Sequence, residues 1–433
     1  SAMNAGANTY HFRQDSSFLY FFGLDQSNIA GVIDLDENKE ILFGDNLTID
    51  DIIWMGDQPT MNEQASRVGI SETLPFNKLY EYIQNAITGG RKVHLLPPYR
   101  GDHYIFLAEL FKIGHKEVDQ FVSEEFIKAV VALREIKDDH EIQQIELAVD
   151  TAYKMHTTVM KMAFPGTWER EIAGMIEGIS LANGGPVSFP VILSMNGQTL
   201  HNHYHGNLLK EGRMVVTDAG AETTMHYASD ITRTVPVGGK FDSRQKDIYE
   251  IVLKANLKSI EQSAPGIKNK ELHLGAAKII ASGLKDLGLM KGDTDEAVNK
   301  GAHAMFFPHG LGHMMGLDVH DMENLGEKYV GYDEHTERST QFGLAALRFG
   351  KELKPGFVFT IEPGIYFIPH LIDIWKKEGK FTEYINYDKV ETFKDFGGIR
   401  IEDDILITKD NHKVLGKPIP KTIEEIENFM GGI

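Results

Sequence analysis

Cysteine is absent from the 433 residues. Its absence removes any disulfide framework, any thiolate nucleophile and any sulfur-rich zinc site. A chain without thiols suits a reducing compartment, and the cytoplasm is the expected location. No run of 18 apolar residues is available to span a bilayer, so no membrane association is expected. Positive charge is scarce: 44 Lys and Arg stand against 63 Asp and Glu, a formal charge of −19. Such a surface repels nucleic acid and anionic lipid, which leaves small or basic ligands as the expected partners. The sequence has neither a GxxxxGK[ST] loop nor a GxGxxG turn and so gives no support to nucleotide-dependent chemistry. No basic segment followed by an apolar run marks an export signal, and Ser1-Ala2-Met3 reads as an expression remnant.

What is present is ordinary for a soluble globular chain: 42% hydrophobic and 25% charged residues. The length exceeds what one core accommodates, so two domains are expected. Residues 1–122 alternate short β-like runs with turn residues and predict a small α/β domain. Gly31 to Phe43 reads as a hairpin around Asp36-Glu37-Asn38, and Arg91 to Leu96 as a buried strand. From Leu133 the texture changes to a long helix, with Ile142, Ile145, Val149, Ala152, Met155 and Val159 recurring at steps of three and four. It stops at Phe164-Pro165-Gly166, and Thr167 caps a second helix with a stripe of Ile172, Met175, Ile176 and Ile179. Strands are expected over 187–194, 214–217, 231–235, 357–367 and 398–408, and helices over 245–263 and 270–287. Grouped rather than alternating elements predict, over 123–433, an α+β domain with a largely antiparallel sheet.

Five polar segments interrupt these apolar stretches: Val216-Thr217-Asp218-Ala219-Gly220, Ser229-Asp230-Ile231-Thr232, Pro308-His309-Gly310-Leu311-Gly312-His313, Thr360-Ile361-Glu362-Pro363-Gly364 and Gly398-Ile399-Arg400-Ile401-Glu402. A carboxylate on a buried strand must pair with a base, lose its charge or bind a metal. Any one of these acids alone reads as a structural ion pair, so the argument rests on the set. Asp218, Asp230, Glu362 and Glu402, with His313, carry a charge of about −4, which two divalent cations neutralise. Oxygen-rich ligation with one nitrogen suits Mn(II), Co(II) or Zn(II), with bridging acids holding two metals about 3.5 to 4 Å apart. The twelve-residue step from Asp218 to Asp230 lets a hairpin set them on facing strands.

These segments resemble the metallopeptidase family that contains methionine aminopeptidase, aminopeptidase P and prolidase, and most closely the last two. The resemblance extends to Phe12-Arg13-Gln14, Phe21-Phe22-Gly23 and Trp54-Met55-Gly56 and to the ending Pro420-Lys421-Thr422-Ile423-Glu424-Glu425-Ile426-Glu427. It implies a pita-bread catalytic domain preceded by a creatinase-like N-terminal domain, two divalent metal ions with Mn(II) expected, and a homodimer. The implied substrates are proline-containing peptides cleaved between an N-terminal residue and a following proline. Asp218 and Glu362 would each hold one metal, Asp230 and Glu402 would bridge both, and His313 would supply the nitrogen. His201 and His320 would meet the substrate and its tetrahedral intermediate, and Glu362 would move the proton. His309, Arg400 and Trp54 are the candidate substrate contacts, Trp54 from across the dimer interface. Their plainer alternatives are a brace for the ligand loop, a balance for the acids at 402–404 and a surface aromatic. His203, His205 and His226 match no motif position and read as loop histidines.

Two departures from the family pattern bear on the substrate. Human-type prolidases hold the free carboxylate of a dipeptide with an arginine in the insert before the last motif, where this chain reads Ile385-Asn386-Tyr387-Asp388-Lys389. Loss of that cation tilts the expectation toward an aminopeptidase accepting longer peptides, with a strict dipeptidase as the alternative and Lys389 or Lys376 as substitutes for the arginine. The Asp218 to Asp230 step is one residue longer than the family form, which predicts an extra residue at a hairpin tip. The chain also starts short of related first domains, so native N-terminal residues are expected to be missing. A non-catalytic binding scaffold on the same fold is the alternative from another class, and the retained ligands argue against it.

Overall fold

The computed structural model describes residues 2–6 and 8–432, so Ser1 lies outside the described residues. The chain divides into two compact units, 1–130 and 131–433.

The first unit opens with a short hairpin, β1 (Ala2–Ala5) and β2 (Asn8–Thr9), and is built on a three-stranded sheet. β3 (Ala30–Asp34) and β4 (Lys39–Phe43) form the expected hairpin, with Asp34 opposite Lys39 and Asn38 at φ 51° in the turn. β5 (Glu72–Leu74) adds to β4 in parallel. Around the sheet lie α1 (Ser16–Phe22), α2 (Ile49–Met55), α3 (Met61–Arg67), α4 (Lys78–Thr88) and α5 (Gly101–Phe111). Successive β4 side chains point to opposite faces. Ile41 and Phe43 therefore pack on Leu79 and Ile83 of α4 and Leu110 and Phe111 of α5, while Leu42 packs on Phe22, Met61 and Ala65. Both faces of the sheet are covered, as an α/β unit requires. The strand expected over Arg91 to Leu96 is reduced to a single bridge, Leu95 to Val122, and its residues are half-buried or exposed. Arg91 turns instead to Asp34, whose carboxylate also accepts from Tyr82.

The long helix expected from Leu133 starts at Asp139, as α7 (Asp139–Met162), and a separate helix, α6 (Glu124–Arg134), ends where it was expected to begin. Asp138 sets that start: its side chain caps the His140 and Glu141 N–H groups while Glu141 reaches back, a capping box that starts α7 afresh. α8 (Glu169–Ala182) packs along α7, and α9 (Ser243–Gln262) along α10 (Asn269–Asp286). The antiparallel strands are β6 (Ile192–Ser194), β7 (Met214–Ala219) and β8 (Ile231–Pro236) in one sheet. β9 (Val358–Ile361) and β10 (Gly364–Tyr366) replace the single strand expected over 357–367, and β11 (Gly398–Arg400) and β12 (Asp403–Ile407) that over 398–408. β13 (His412–Val414) pairs with β12. The breaks have a cause. Pro363 offers no N–H to a ladder, and the two strands exchange partners there, β9 with β12 and β10 with β11. Among the described residues no helix is long and apolar enough to cross a membrane.

Candidate metal centre

Two hairpins bring the acids together. In the first, Asp218 faces Thr232 across β7 and β8, and Asp230 lies two residues before Thr232 and so on the same face. The pairing continues in unbroken register to Glu222 opposite Ala228, so extra hairpin length is taken up at the tip, over 223–227. Gly220 lets the strands close: a Cβ there would meet the Ser229 carbonyl oxygen at 1.8 Å. In the second, Gly364 faces Arg400 and Ile361 faces Asp403, and both registers share one frame, which puts Glu362 opposite Glu402 in the strand break. Glu402 N–H donates to the Thr232 carbonyl at 3.1 Å, and Thr232 Oγ1 donates to Glu402 Oε2 at 2.6 Å, which joins the two hairpins.

His313 arrives on a segment that runs beside β9. Its N–H donates to Thr360 Oγ1 at 3.1 Å, and Thr360 N–H donates back to its carbonyl at 3.0 Å. Gly312 permits this approach, since a Cβ would stand 1.8 Å from the Thr360 carbonyl oxygen. His313 Nδ1 donates to the Met314 carbonyl at 3.1 Å, which leaves the Nε2 lone pair pointing inward, 3.3 Å from Asp230 Oδ2 and 3.7 Å from Glu362 Oε1. A lone pair aimed at two carboxylate oxygens is repulsive unless a cation or a carboxyl proton lies between them. Burial holds the imidazole far below its ordinary pKa, so no proton on Nε2 supplies that charge.

Asp218, Asp230 and Glu402 offer oxygens within 4.8 Å of one another, as do the donor atoms of His313, Glu362 and Glu402 and those of Asp230, His313 and His320. Glu402 belongs to two of these groups and so does Asp230. Asp218, Asp230 and Glu402 are 8%, 5% and 2% exposed. Asp218 Oδ1 and Asp230 Oδ1 are buried without a hydrogen-bond partner among the described residues. Burial first, then mutual repulsion, raises Asp230 and Glu402 well above the carboxylate range. Glu362 rises to about 7, from burial acting against the nearby Arg400 charge. Hard oxygens lacking donors, a neutral imidazole facing inward and acids that repel one another form a donor set that fits two divalent cations.

The remaining expected residues fall around this cluster. Arg400, 3% exposed, donates to Asp218 Oδ2 at 2.6 Å, to the Tyr366 hydroxyl at 2.8 Å and to Thr232 Oγ1 at 3.1 Å, so its guanidinium is committed inside the site. His309 donates from Nδ1 to the Gly310 carbonyl at 2.8 Å and accepts the Tyr366 hydroxyl proton on Nε2 at 2.9 Å, an arrangement that braces the ligand loop. His320 is half-buried, its ring 4.0 Å from that of His313, with Nδ1 3.2 Å from Glu323 Oε2. His201 is exposed at its surface on the loop after β6, yet the protein packed around the rest of its ring, with the Arg400 charge, lowers its pKa, and Asp218, His320 and Arg348 also act on it. Glu169, fully buried, fastens both ends of that loop by accepting from Ser194, Met195 and Asn207. His203 and His205 turn to the Val191 carbonyl. His226 sits at the hairpin tip, paired with Glu222 at 2.8 Å. Trp54 is on α2 of the first unit, 86% exposed.

Several participants carry no signal that sequence reading used. Tyr366 was legible in principle, since 362, 364 and 366 share a strand face. Arg348 and Glu323 were not, for Arg348 lies in a bend and Glu323 starts a single 3-10 turn, Glu323–Leu325. Tyr387, by contrast, is buried with its hydroxyl on the Lys380 carbonyl, and Lys376 pairs with Glu391.

Known proteins resemble the chain along nearly its whole length. The profile of metallopeptidase family M24 matches residues 143–409, and that of the aminopeptidase P N-terminal domain matches residues 1–95. A probable Xaa-Pro aminopeptidase pepP of Aspergillus clavatus is 34% identical over 96% of this chain and 88% of its own length. The Xaa-Pro dipeptidase of Homo sapiens is 31% identical over 97% of this chain and 85% of its own length. The structure of a zinc-substituted aminopeptidase P of E. coli with product superposes with a TM-score of 0.80 at 28% identity, covering 100% of this chain and 92% of that one. The fold is thus a pita-bread α+β domain preceded by an aminopeptidase P-type α/β domain, and the chain belongs to metallopeptidase family M24.

Proposed function

We propose that this metallo-exopeptidase hydrolyses the bond between an N-terminal residue and a following proline, and that it acts as an Xaa-Pro aminopeptidase. The observation that carries the reading is the gathering of Asp218, Asp230, His313, Glu362 and Glu402 around buried oxygens that lack donors. The Xaa-Pro specificity of the curated relatives supports the substrate class. Asp218 and Glu362 would each hold one cation, Asp230 and Glu402 both, with His313 Nε2 as the nitrogen ligand. Mn(II) is the proposed metal. Divalent cations held there would supply Lewis acidity, polarising the scissile carbonyl and making a water more acidic.

The chain's own groups do the rest. Glu362, gathered with the other carboxylates at His313, is the group proposed to accept a proton from the attacking water and return it to the departing proline nitrogen. His201 and His320 are the groups that would meet the substrate carbonyl and its intermediate, and Tyr366 with Arg400 fixes the orientation of Asp218. In the same reading 1–122 is the N-terminal domain and 123–433 the catalytic one, in a cytoplasmic homodimer. Support for a partner comes from α2, whose Ile49, Ile53, Trp54 and Met55 are all exposed. Trp54 would reach substrate from there.

A second reading, the strict Xaa-Pro dipeptidase, is favoured by Arg348. Its charge acts on Glu362, His201 and His313 together, so a cation does stand beside the cluster, though not in the stretch where it was sought. Comparing Ala-Pro with Ala-Pro-Ala under Mn(II) separates the two readings: faster cleavage of the tripeptide is expected, and cleavage of the dipeptide alone establishes the second. Asp230→Ala and Glu402→Ala should each lower turnover by more than about 100-fold with the fold retained. Wild-type turnover in either variant refutes the ligand assignment.

A further inference from the structure

Next to the cluster stands an ion pair that the proposed reaction does not use. Glu323 Oε2 accepts from Arg348 Nη1 and from His320 Nδ1, and the His320 ring in turn lies 4.0 Å from that of His313. Arg348 and Glu323 are 37% and 21% exposed, so both face solvent at the edge of the site. Arg400, the other arginine at the cluster, is buried and spent on Asp218, Tyr366 and Thr232. Arg348 is therefore the guanidinium open to a ligand. An extended dipeptide reaches at most about 7 Å from amine to carboxylate, so a carboxylate whose amine lies at the cluster stays among the groups at the edge of the site, of which Arg348 is the cation that acts on Glu362, His201 and His313. That carboxylate would find the planar fork of Arg348 already holding one of like charge.

We propose that Glu323 sets the preference between Xaa-Pro dipeptides and longer Xaa-Pro-Yaa peptides by occupying Arg348. This inference rests on the Xaa-Pro reading above. A dipeptide must share or displace the Glu323 contact and brings a second negative charge against it. A longer peptide presents a neutral amide at the same place and meets no such repulsion. Glu323 thus masks the cation that a dipeptidase would employ, and its removal uncovers it.

The test uses two substrates that differ only in the group at issue, Ala-Pro and Ala-Pro-amide, with the Mn(II)-loaded full chain. Glu323→Gln keeps an acceptor for His320 and removes the charge. Taking the ratio of kcat/KM on the two substrates cancels any effect transmitted through His320. The ratio of Ala-Pro to Ala-Pro-amide is expected to rise about fivefold in Glu323→Gln, mostly through KM. It should return to the wild-type value in Glu323→Gln/Arg348→Gln. An unchanged ratio in Glu323→Gln, or a rise that persists in the double variant, overturns the masking role. If the wild type cleaves Ala-Pro, Ala-Pro-amide and Ala-Pro-Ala not at all, the Xaa-Pro reading falls and this inference falls with it.

Discussion

His273 and His303 are fully buried, and none of their ring nitrogens has a hydrogen-bond partner among the described residues. Burial lowers His273 to about 3, helped by His303 and His309, and lowers His303 to about 4. Both are neutral in the native state at any pH near neutrality. The unfolded chain takes up protons on them below about 6.5, whereas the folded chain does not until near 3 or 4. More protons on the unfolded state means that stability falls as the pH falls. The contribution of the neutral pair is complete above about 6.5 and is lost between there and about 4 for His303 and about 3 for His273, at roughly 1.4 kcal/mol per pH unit for each residue. Thermal unfolding followed from pH 7 to pH 4 should show a steeper loss for wild type than for His273→Leu, which cannot titrate. Parallel curves for the two would show that His273 is not the acid-sensitive group. His273 also stacks on Phe307, whose ring touches His309, so the pair lines the core directly behind the ligand loop.

The loop from His313 to His320 is fixed from behind by charge. Asp321 accepts from Arg134 at 2.7 Å and from Lys137 at 2.8 Å, and Arg134 also reaches Asp318 at 3.2 Å. Asp321 N–H donates to the Met314 carbonyl at 2.9 Å, which closes the loop on itself. These groups are taken out of water at a cost that only full pairing offsets. Asp321→Ala leaves two buried cations without their shared acceptor and should lower stability by about 3–5 kcal/mol. Denaturant unfolding measures this, and a loss under about 1 kcal/mol would mean that the loop is held by something else. The seven-residue step between the two histidines was legible in the sequence. That they face each other at 4.0 Å was not, because Arg134 and Lys137 act from nearly two hundred residues away. The same limit applies to the strands. Apolar runs over 357–367 and 398–408 read as continuous, but the exchange of partners at Glu362 and Glu402 depends on pairing that no local pattern encodes. The ligand residue types were readable, since acids in apolar strands demand a partner. Their mutual register was not, and neither was the pairing of Glu323 with Arg348, in which no spacing rule operates.

For the whole molecule, the cluster is a liability that its occupants would relieve. Asp230 and Glu402 are pushed well above their usual pKa by burial first and repulsion second, and Glu362 rises to about 7 by burial acting against the Arg400 charge. Strands that pack these acids into one place store unfavourable electrostatics in an otherwise well-buried core, and divalent cations convert that cost into binding free energy. The acidic balance of −19 belongs to the same picture, since it concentrates cations and disfavours anionic partners. Everything proposed for catalysis depends on the number of cations the five residues hold. The direct measurement is metal content by mass spectrometry after loading with Mn(II) and desalting, on wild type and Glu402→Ala. Two ions per wild-type chain, with loss of at least one in Glu402→Ala, is the result expected. A wild-type chain that keeps no more than a trace of metal, or a Glu402→Ala chain that keeps as much as wild type, would contradict the dinuclear centre.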